Sequence, residues 1–158
     1  MKKSILVLAM AVAIMACNDN ATKDSTENAT AGQTTEAIKT TSDGLFANEW
    51  TLAELNGKTI VLDATFPGKP SLGFEKEGSK FFGNGGCNKF GGVLELKDGD
   101  SIKLLNIAAT QMACPNLEVE TSYFEALRNA QTYQIVGDTL ILNSAQASPL
   151  AKFGKTVQ

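Results

Sequence analysis

The stretch Phe82-Gly83-Asn84-Gly85-Gly86-Cys87-Asn88-Lys89-Phe90-Gly91-Gly92 decides the fold of this chain. Five of its eleven residues are glycine, which adopts a positive φ at no steric cost and lets the backbone approach other atoms closely. Apolar residues flank the stretch, with Phe81 before it and Val93 and Leu94 after it. The pattern predicts two strands joined by a tight bend that holds Cys87 in a fixed position.

Short segments of alternating apolar and polar residues lie on both sides of this bend, which is typical of half-buried strands. Turn-forming residues separate them at Asn56-Gly57-Lys58, Asp98-Gly99-Asp100 and Gly137-Asp138. We therefore expect a mainly β domain with one helix, built as a small antiparallel barrel-like or strongly curved sheet. The predicted strands are 50–55, 59–62, 71–75, 80–82, 93–97, 101–105, 133–136, 139–142 and 150–153.

A single helix is predicted over residues 117–130. Asn116 is a suitable N-cap, the acidic residues Glu118 and Glu120 fall in the first turn, and Arg128 falls near the negative end of the helix dipole. The helical spacing of the apolar residues directs Phe124 and Leu127 into the core.

The beginning of the chain has the pattern of a secretory signal peptide. Lys2 and Lys3 form a basic start, and the apolar run 5–16 is too short to span a bilayer as a helix. The run ends at Ile14-Met15-Ala16-Cys17, which resembles the lipobox of bacterial lipoproteins. That resemblance implies that Cys17 is lipidated and is the first residue of the mature chain, with an ordinary signal peptide as the alternative.

Residues 18–44 contain no aromatic residue and one large aliphatic residue, Ile38. Such a composition cannot bury enough apolar surface to offset the entropy of ordering, so we predict a disordered tether. Residues 45–158 then form one domain of ordinary size. Removal of the signal peptide takes two lysines and no acid, leaving 12 basic and 17 acidic residues and a net charge of −5. No basic cluster is present, so we expect no nucleic-acid partner.

Several motifs together resemble the META/HslJ domain family. They are Trp50 at the start of the first strand, Gly85-Gly86-Cys87-Asn88-Lys89-Phe90-Gly91-Gly92, and the segments 107–114, 120–127 and 140–142. The resemblance covers 47–153 and implies a small β-rich fold with a packed helix, in envelope lipoproteins or secreted proteins. The family has no established catalytic residue set, so none is carried over to this chain.

Cys87 and Cys114 are expected to form a disulfide, because lipidation of Cys17 leaves these two cysteines in an oxidising compartment. A reactive thiol at Cys87 is the alternative, with only Lys89 nearby in sequence to lower its pKa. Two cysteines without histidine make a poor zinc site, since structural zinc takes four Cys or His ligands. The chain has no histidine at all, which excludes histidine-activated nucleophiles. We expect no metal, no cofactor and no catalytic residue.

Asn88 and Thr110 are candidate contacts because they are short polar residues in the two cysteine motifs. We interpret them as partners of backbone groups at the bend rather than as ligand contacts. The six aromatic residues of the motifs are interpreted as core rather than as a ligand cage: Trp50, Phe81, Phe82, Phe90, Tyr123 and Phe124. Three glutamates of the helix are interpreted as a solvated face rather than as paired catalytic carboxylates: Glu118, Glu120 and Glu125.

These observations favour a non-enzymatic envelope lipoprotein. We expect its domain to be monomeric, to be held at a membrane through the lipid on Cys17, and to face the periplasm from the outer membrane. There it would bind or stabilise an envelope protein, in a role such as envelope stress tolerance. The alternatives are a barrel that binds a small apolar ligand or an acyl chain and, less favoured, a thiol redox-sensing module.

Overall fold

The computed structural model describes residues 42–62, 64, 66–97, 99–115 and 117–156. This part of the chain contains two helices and nine strands, and the predicted mainly β fold class is confirmed. The elements are α1 (Ser42–Phe46), β1 (Trp50–Leu55), β2 (Lys58–Thr59), β3 (Ser71–Glu75), β4 (Lys80–Asn84), β5 (Lys89–Leu96), β6 (Ile102–Ala109), α2 (Glu118–Asn129), β7 (Thr132–Val136), β8 (Thr139–Asn143) and β9 (Pro149–Lys155).

All nine strands belong to one antiparallel sheet that curls into a half-barrel. The strand order is β6-β5-β4-β3-β1-β9-β8-β7, and β2 pairs with β1. The two end strands approach each other at a single bridge between Ser101 and Thr132. Beside this bridge the amide of Ile102 donates to the carbonyl of Gln131 at 3.0 Å. The curvature of the sheet thus brings its first and last edges together at one corner.

Local turn chemistry positions the hairpins where the sequence predicts them. Asn56 and Gly57 both have positive φ, of 50° and 76°, as a two-residue turn between β1 and β2 requires. The return strand is shorter than predicted, because β2 comprises only Lys58–Thr59 and the chain leaves the sheet afterwards.

The glycine-rich bend is also shorter than its sequence suggests. β4 continues to Asn84 and β5 starts at Lys89, so only 85–88 lie outside the strands. Gly92 is needed inside β5 because a Cβ there would lie 2.6 Å from the Phe81 ring. The register of β5 against β6 shifts between Gly91 and Val93, which gives the sheet a local bulge.

Large side chains fill the interior of the half-barrel. Five of them are at most 2% exposed: Trp50, Phe81, Tyr123, Tyr133 and Phe153. Phe90 packs edge-on against Tyr123 and Phe124 of α2, with ring centroids 5.7 and 5.1 Å apart. The side chains of α2 and of the concave face of the sheet therefore share one core.

Helix α2 agrees with its prediction to within one residue at each end. Leu127 is fully buried as expected, whereas Phe124 is only partly buried. The predicted N-cap, Asn116, lies outside the described residues. Within the helix, Tyr123 donates its hydroxyl to the carbonyl of Ser71 on β3 at 3.1 Å. Burial raises the pKa of Tyr123 well above its ordinary value.

Beside the predicted helix the fold contains a second, short helix, α1, which the sequence does not predict. Its Leu45 is fully buried, and the carbonyl of Leu45 accepts a hydrogen bond from the Trp50 indole at 3.2 Å. Residues 42–44, the predicted end of the tether, form the first part of this helix. The rest of the predicted tether and the signal peptide with Cys17 lie outside the described residues.

Candidate functional site

The two cysteines of the motifs are joined in the structure. Cys87 at the bend and Cys114 in the loop before α2 form a disulfide, with Cα atoms 6.2 Å apart, within the range that such bridges span. Cys87 is almost fully buried. The bridge links the β4–β5 bend to the segment that leads into α2, and in this bonded form neither sulfur is a free thiol nucleophile.

Glu120 reaches from α2 to the same bend. One carboxylate oxygen accepts hydrogen bonds from the amides of Cys87 and Asn88, at 3.1 and 2.6 Å, and the other accepts from the Asn88 side-chain amide at 2.6 Å. Glu120 is 6% exposed. The interpretation of Glu120 as part of a solvated face was wrong, although Glu118 and Glu125 are exposed as expected.

Asn88 connects this carboxylate to the second cysteine motif. Its side-chain oxygen accepts hydrogen bonds from the Thr110 hydroxyl at 2.9 Å and from the Met112 amide at 2.7 Å. The structure thus brings both candidate contacts, Asn88 and Thr110, into one network with Glu120. Asn88 pairs with a backbone amide and with neighbouring side chains, and Thr110 pairs with Asn88.

This buried network has the chemistry of a structural clamp. Each carboxylate oxygen of Glu120 already accepts a hydrogen bond, and no buried side-chain polar atom of the described residues lacks a partner. A general base needs access to a substrate proton, which these buried and occupied oxygens lack. Among the described residues, no group of three or more Cys, Asp or Glu side chains is arranged to hold a metal ion.

A first surface depression lies between the β1–β2 hairpin and the start of α2, and we call it the apolar groove. Its volume is about 310 Å³. Val61 at its edge is 85% exposed, the largest value among the exposed large hydrophobic residues of the described chain. The groove is lined by Leu55, Asn56, Lys58, Thr59, Ile60, Val61, Glu118, Val119 and Ser122.

A second depression lies on the convex face of the sheet, and we call it the outer groove. Its volume is about 410 Å³. Phe82 lines it and is 49% exposed, so its interpretation as a core residue was wrong. The other lining residues are Glu49, Lys69, Ser71, Gly83, Asn84, Lys89 and Phe90. The strand register could have revealed the orientation of Phe82, because successive side chains of β4 point to opposite faces and Phe81 points inward.

None of the described helices is both long and apolar enough to cross a bilayer.

The META domain family model matches residues 43–157 of the chain. No curated protein sequence matches the chain.

Three solved structures share the fold. A protein from Burkholderia xenovorans is similar at 20% identity with a TM-score of 0.59, over 74% of this chain and 87% of its own. The NMR structure of another protein is similar at 21% identity with a TM-score of 0.56, over 73% of this chain and 94% of its own. A DUF4847 family protein from Bacteroides vulgatus ATCC 8482 is similar at 18% identity with a TM-score of 0.54, over 74% and 98%.

Proposed function

The chain belongs to the META domain family, and we propose that it is a non-enzymatic lipoprotein of the bacterial cell envelope whose domain binds another envelope protein through the apolar groove. The residues of the predicted lipobox, 14–17, support a lipid anchor on Cys17. In this proposal the anchor holds the domain at the periplasmic side of the outer membrane. The chain has no histidine, and each of the two grooves has a single carboxylate in its lining, Glu118 in the apolar groove and Glu49 in the outer groove, which favours binding over catalysis.

The single observation that carries the proposal is the exposure of Val61 beside a groove with apolar residues in its lining. An isolated exposed valine needs no explanation, but here Leu55, Ile60 and Val119 lie in the same depression. Apolar surface with a polar rim is the usual composition of a protein–protein contact. Lys58 and Glu118 provide charges of both signs among the lining residues, which can orient a partner segment.

The filled interior argues against the alternative of an acyl chain inside the barrel. Trp50, Tyr123 and Phe153 occupy the space between the sheet and α2, and each is at most 1% exposed. A small apolar ligand would instead have to lie in the apolar groove. Identification of the molecule bound in the apolar groove therefore distinguishes a protein-binding function from binding of a small apolar ligand.

Photo-crosslinking in intact envelopes tests the proposal. A photoreactive amino acid at Val61 is expected to give a discrete adduct with one protein, and Val61→Asp in a chain labelled at Thr59 is expected to abolish that adduct. The matched control is the same photoreactive residue at Val136, which is 42% exposed and lies on β7, outside the apolar groove.

Two results would contradict a protein partner. One is an identical set of adducts from positions 61 and 136, which would indicate random collision. The other is an acyl compound released by organic extraction of the purified chain in a 1:1 ratio and lost in Val61→Asp, which would assign the groove to the small apolar ligand.

A further inference from the structure

The ring of Phe82 forms a flat apolar platform on the convex face of the sheet. Phe82 on β4 pairs with Gly73 on β3 and with Gly91 on β5. The ring lies over Gly73, where a Cβ would come within 2.6 Å of ring atoms. Because one face of the ring rests on the β3 backbone and the side chain is 49% exposed, its other face is open to solvent.

The neighbouring row of the sheet is polar. Ser71 on β3 pairs with Asn84 on β4, and Asn84 pairs with Lys89 on β5. These three side chains lie two residues along their strands from the Phe82 row, so they project from the same face. The outer groove therefore combines one apolar platform with a row of hydrogen-bonding groups.

Asn84 is held in a fixed orientation. Its side-chain oxygen accepts a hydrogen bond from the Gly86 amide at 2.7 Å, which leaves the NH₂ group as the free end. This NH₂ group has no hydrogen-bond acceptor among the described residues, and it lies next to Gly68 of the loop before β3. A donor that is already oriented costs less conformational entropy when a ligand binds.

The charges of the groove are mixed but mainly positive. Lys69 and Lys89 line it together with a single acid, Glu49. Lys89 forms no ion pair within the described part of the chain. The groove can therefore attract a singly charged anion while Glu49 accepts a hydrogen bond from a hydroxyl or amide group of the same ligand.

We propose that the outer groove binds a saccharide that carries a carboxylate. A pyranose ring has an apolar C–H face that can stack on an aromatic ring, and a rim of hydroxyls that need both donors and acceptors. Phe82 supplies the platform, Asn84 and Ser71 supply the polar contacts, and Lys89 pairs with the carboxylate. A volume of about 410 Å³ lies within the range of small-molecule sites.

Two other ligand classes fit the groove less well. A purely apolar ligand would remove water from Asn84 and Lys89 without replacing their hydrogen bonds. A nucleotide phosphate, with about two negative charges, would be repelled by Glu49 more than a carboxylate would. This inference does not depend on the proposed protein partner, because the apolar groove is lined by an entirely different set of residues.

Ligand-observed saturation-transfer NMR on the full chain in detergent micelles tests the site. The probes are N-acetylmuramic acid and N-acetylglucosamine, which share a sugar ring and differ by the carboxylate-bearing lactyl group. We expect the acid to bind about two- to fivefold more tightly, as an exposed ion pair permits. The strongest saturation should fall on the C–H protons of one ring face.

Variants separate the platform from the charge. Phe82→Ala should weaken the binding of both sugars by about three- to tenfold, through loss of the stacking contact. Lys89→Gln should weaken the acid alone, to the affinity of the neutral sugar. The matched controls are Val136→Ala and Lys97→Gln, whose exposed side chains lie outside the outer groove. Both controls should leave the affinities unchanged.

Three outcomes would overturn the inference: no saturation transfer to either sugar, equal binding of the two sugars, or unchanged binding in Phe82→Ala. Adenosine monophosphate binding as tightly as the acid sugar would also overturn it, in favour of a nucleotide site. A glucosamine–muramate disaccharide that binds more tightly than the monosaccharide would support the site and assign its ligand to a glycan chain. Equal binding of the disaccharide and N-acetylmuramic acid would support the site and assign its ligand to the free acid sugar.

Discussion

Replacement of Glu120 should destabilise the domain far more than replacement of any exposed glutamate. Its carboxylate accepts three hydrogen bonds, from the amides of Cys87 and Asn88 and from the Asn88 side chain. Glu120→Ala would leave these donors buried without an acceptor. A buried donor left without an acceptor costs about 1–3 kcal/mol, so the loss of the acceptor for three donors, partly offset by water entering the space, should cost about 3–5 kcal/mol. For a domain of this size, that corresponds to a fall in Tm of about 12–20 °C.

Glu120→Gln provides the finer test. Glutamine keeps the volume and one oxygen of the side chain, but its NH₂ group must face a donor of Cys87 or Asn88. We expect the free energy of unfolding to fall by about 1–3 kcal/mol, which places Glu120→Gln between the wild type and the alanine variant in stability. Glu125→Ala is the control, because Glu125 is exposed on the same helix and its replacement should change stability by no more than about 0.5 kcal/mol.

Urea unfolding followed by tryptophan fluorescence measures these differences directly. Trp50 is the only tryptophan of the chain and is 1% exposed, so unfolding moves it from the core into water. If the free energy of unfolding of Glu120→Ala lay within about 0.5 kcal/mol of the wild-type value, the role of Glu120 as a structural clamp would be refuted. The same conclusion would follow if Glu120→Gln and Glu120→Ala were equally stable, since the remaining oxygen would then accept no useful hydrogen bond.

Three further predictions concern the disulfide, the anchor and the tyrosines. Cys87→Ala and Cys114→Ala should each lower the free energy of unfolding by about 3–4 kcal/mol, because the bond closes a loop with a sequence separation of 27. The double variant should be as stable as either single variant, because the same bond is lost in each. Two free thiols in protein purified without reductant would contradict the bond. Cys17→Ser should abolish lipidation, and mass spectrometry of the wild type that finds an unmodified N-terminus elsewhere would exclude the anchor. Burial raises the pKa of Tyr123, and burial together with the charge of Asp100 raises the pKa of Tyr133. As the pH rises, the unfolded chain therefore loses these two protons before the folded protein does. The stability that the neutral tyrosines contribute is complete below about pH 10 and is lost as the pH rises above it. Urea midpoints that rise between pH 10 and 11 would contradict that sign.

The hairpins could be predicted because their determinants are local. Asn56-Gly57 adopts the positive φ values that a two-residue turn requires, whatever the rest of the chain does. The strands β7 and β8 likewise pair around Gly137-Asp138 as predicted. Helix α1 could not be found in this way, because five residues carry no helical period and its formation depends on burial of Leu45 and on the Trp50 hydrogen bond.

The outward orientation of Phe82 depends on pairing across the sheet. Two adjacent phenylalanines in a strand must point to opposite faces, so either Phe81 or Phe82 had to be exposed. Which of them is buried depends on the neighbouring strands: Gly73 leaves room for a ring on the convex face, and Gly92 leaves room for the Phe81 ring on the concave face. Composition alone favours burial of both rings, and that is why the sequence-based interpretation of Phe82 failed.

The sequence contains a signal that Glu120 is buried, but it does not show which groups pair with its carboxylate. Its spacing of four from Phe124 and seven from Leu127 places it on the buried face of α2, unlike Glu118 and Glu125. A buried carboxylate requires donors, and the glycine-rich bend supplies the amides of Cys87 and Asn88, which the β ladder does not use. The bend, the segment 107–114 with Thr110, and α2 are therefore parts of one hydrogen-bonded unit.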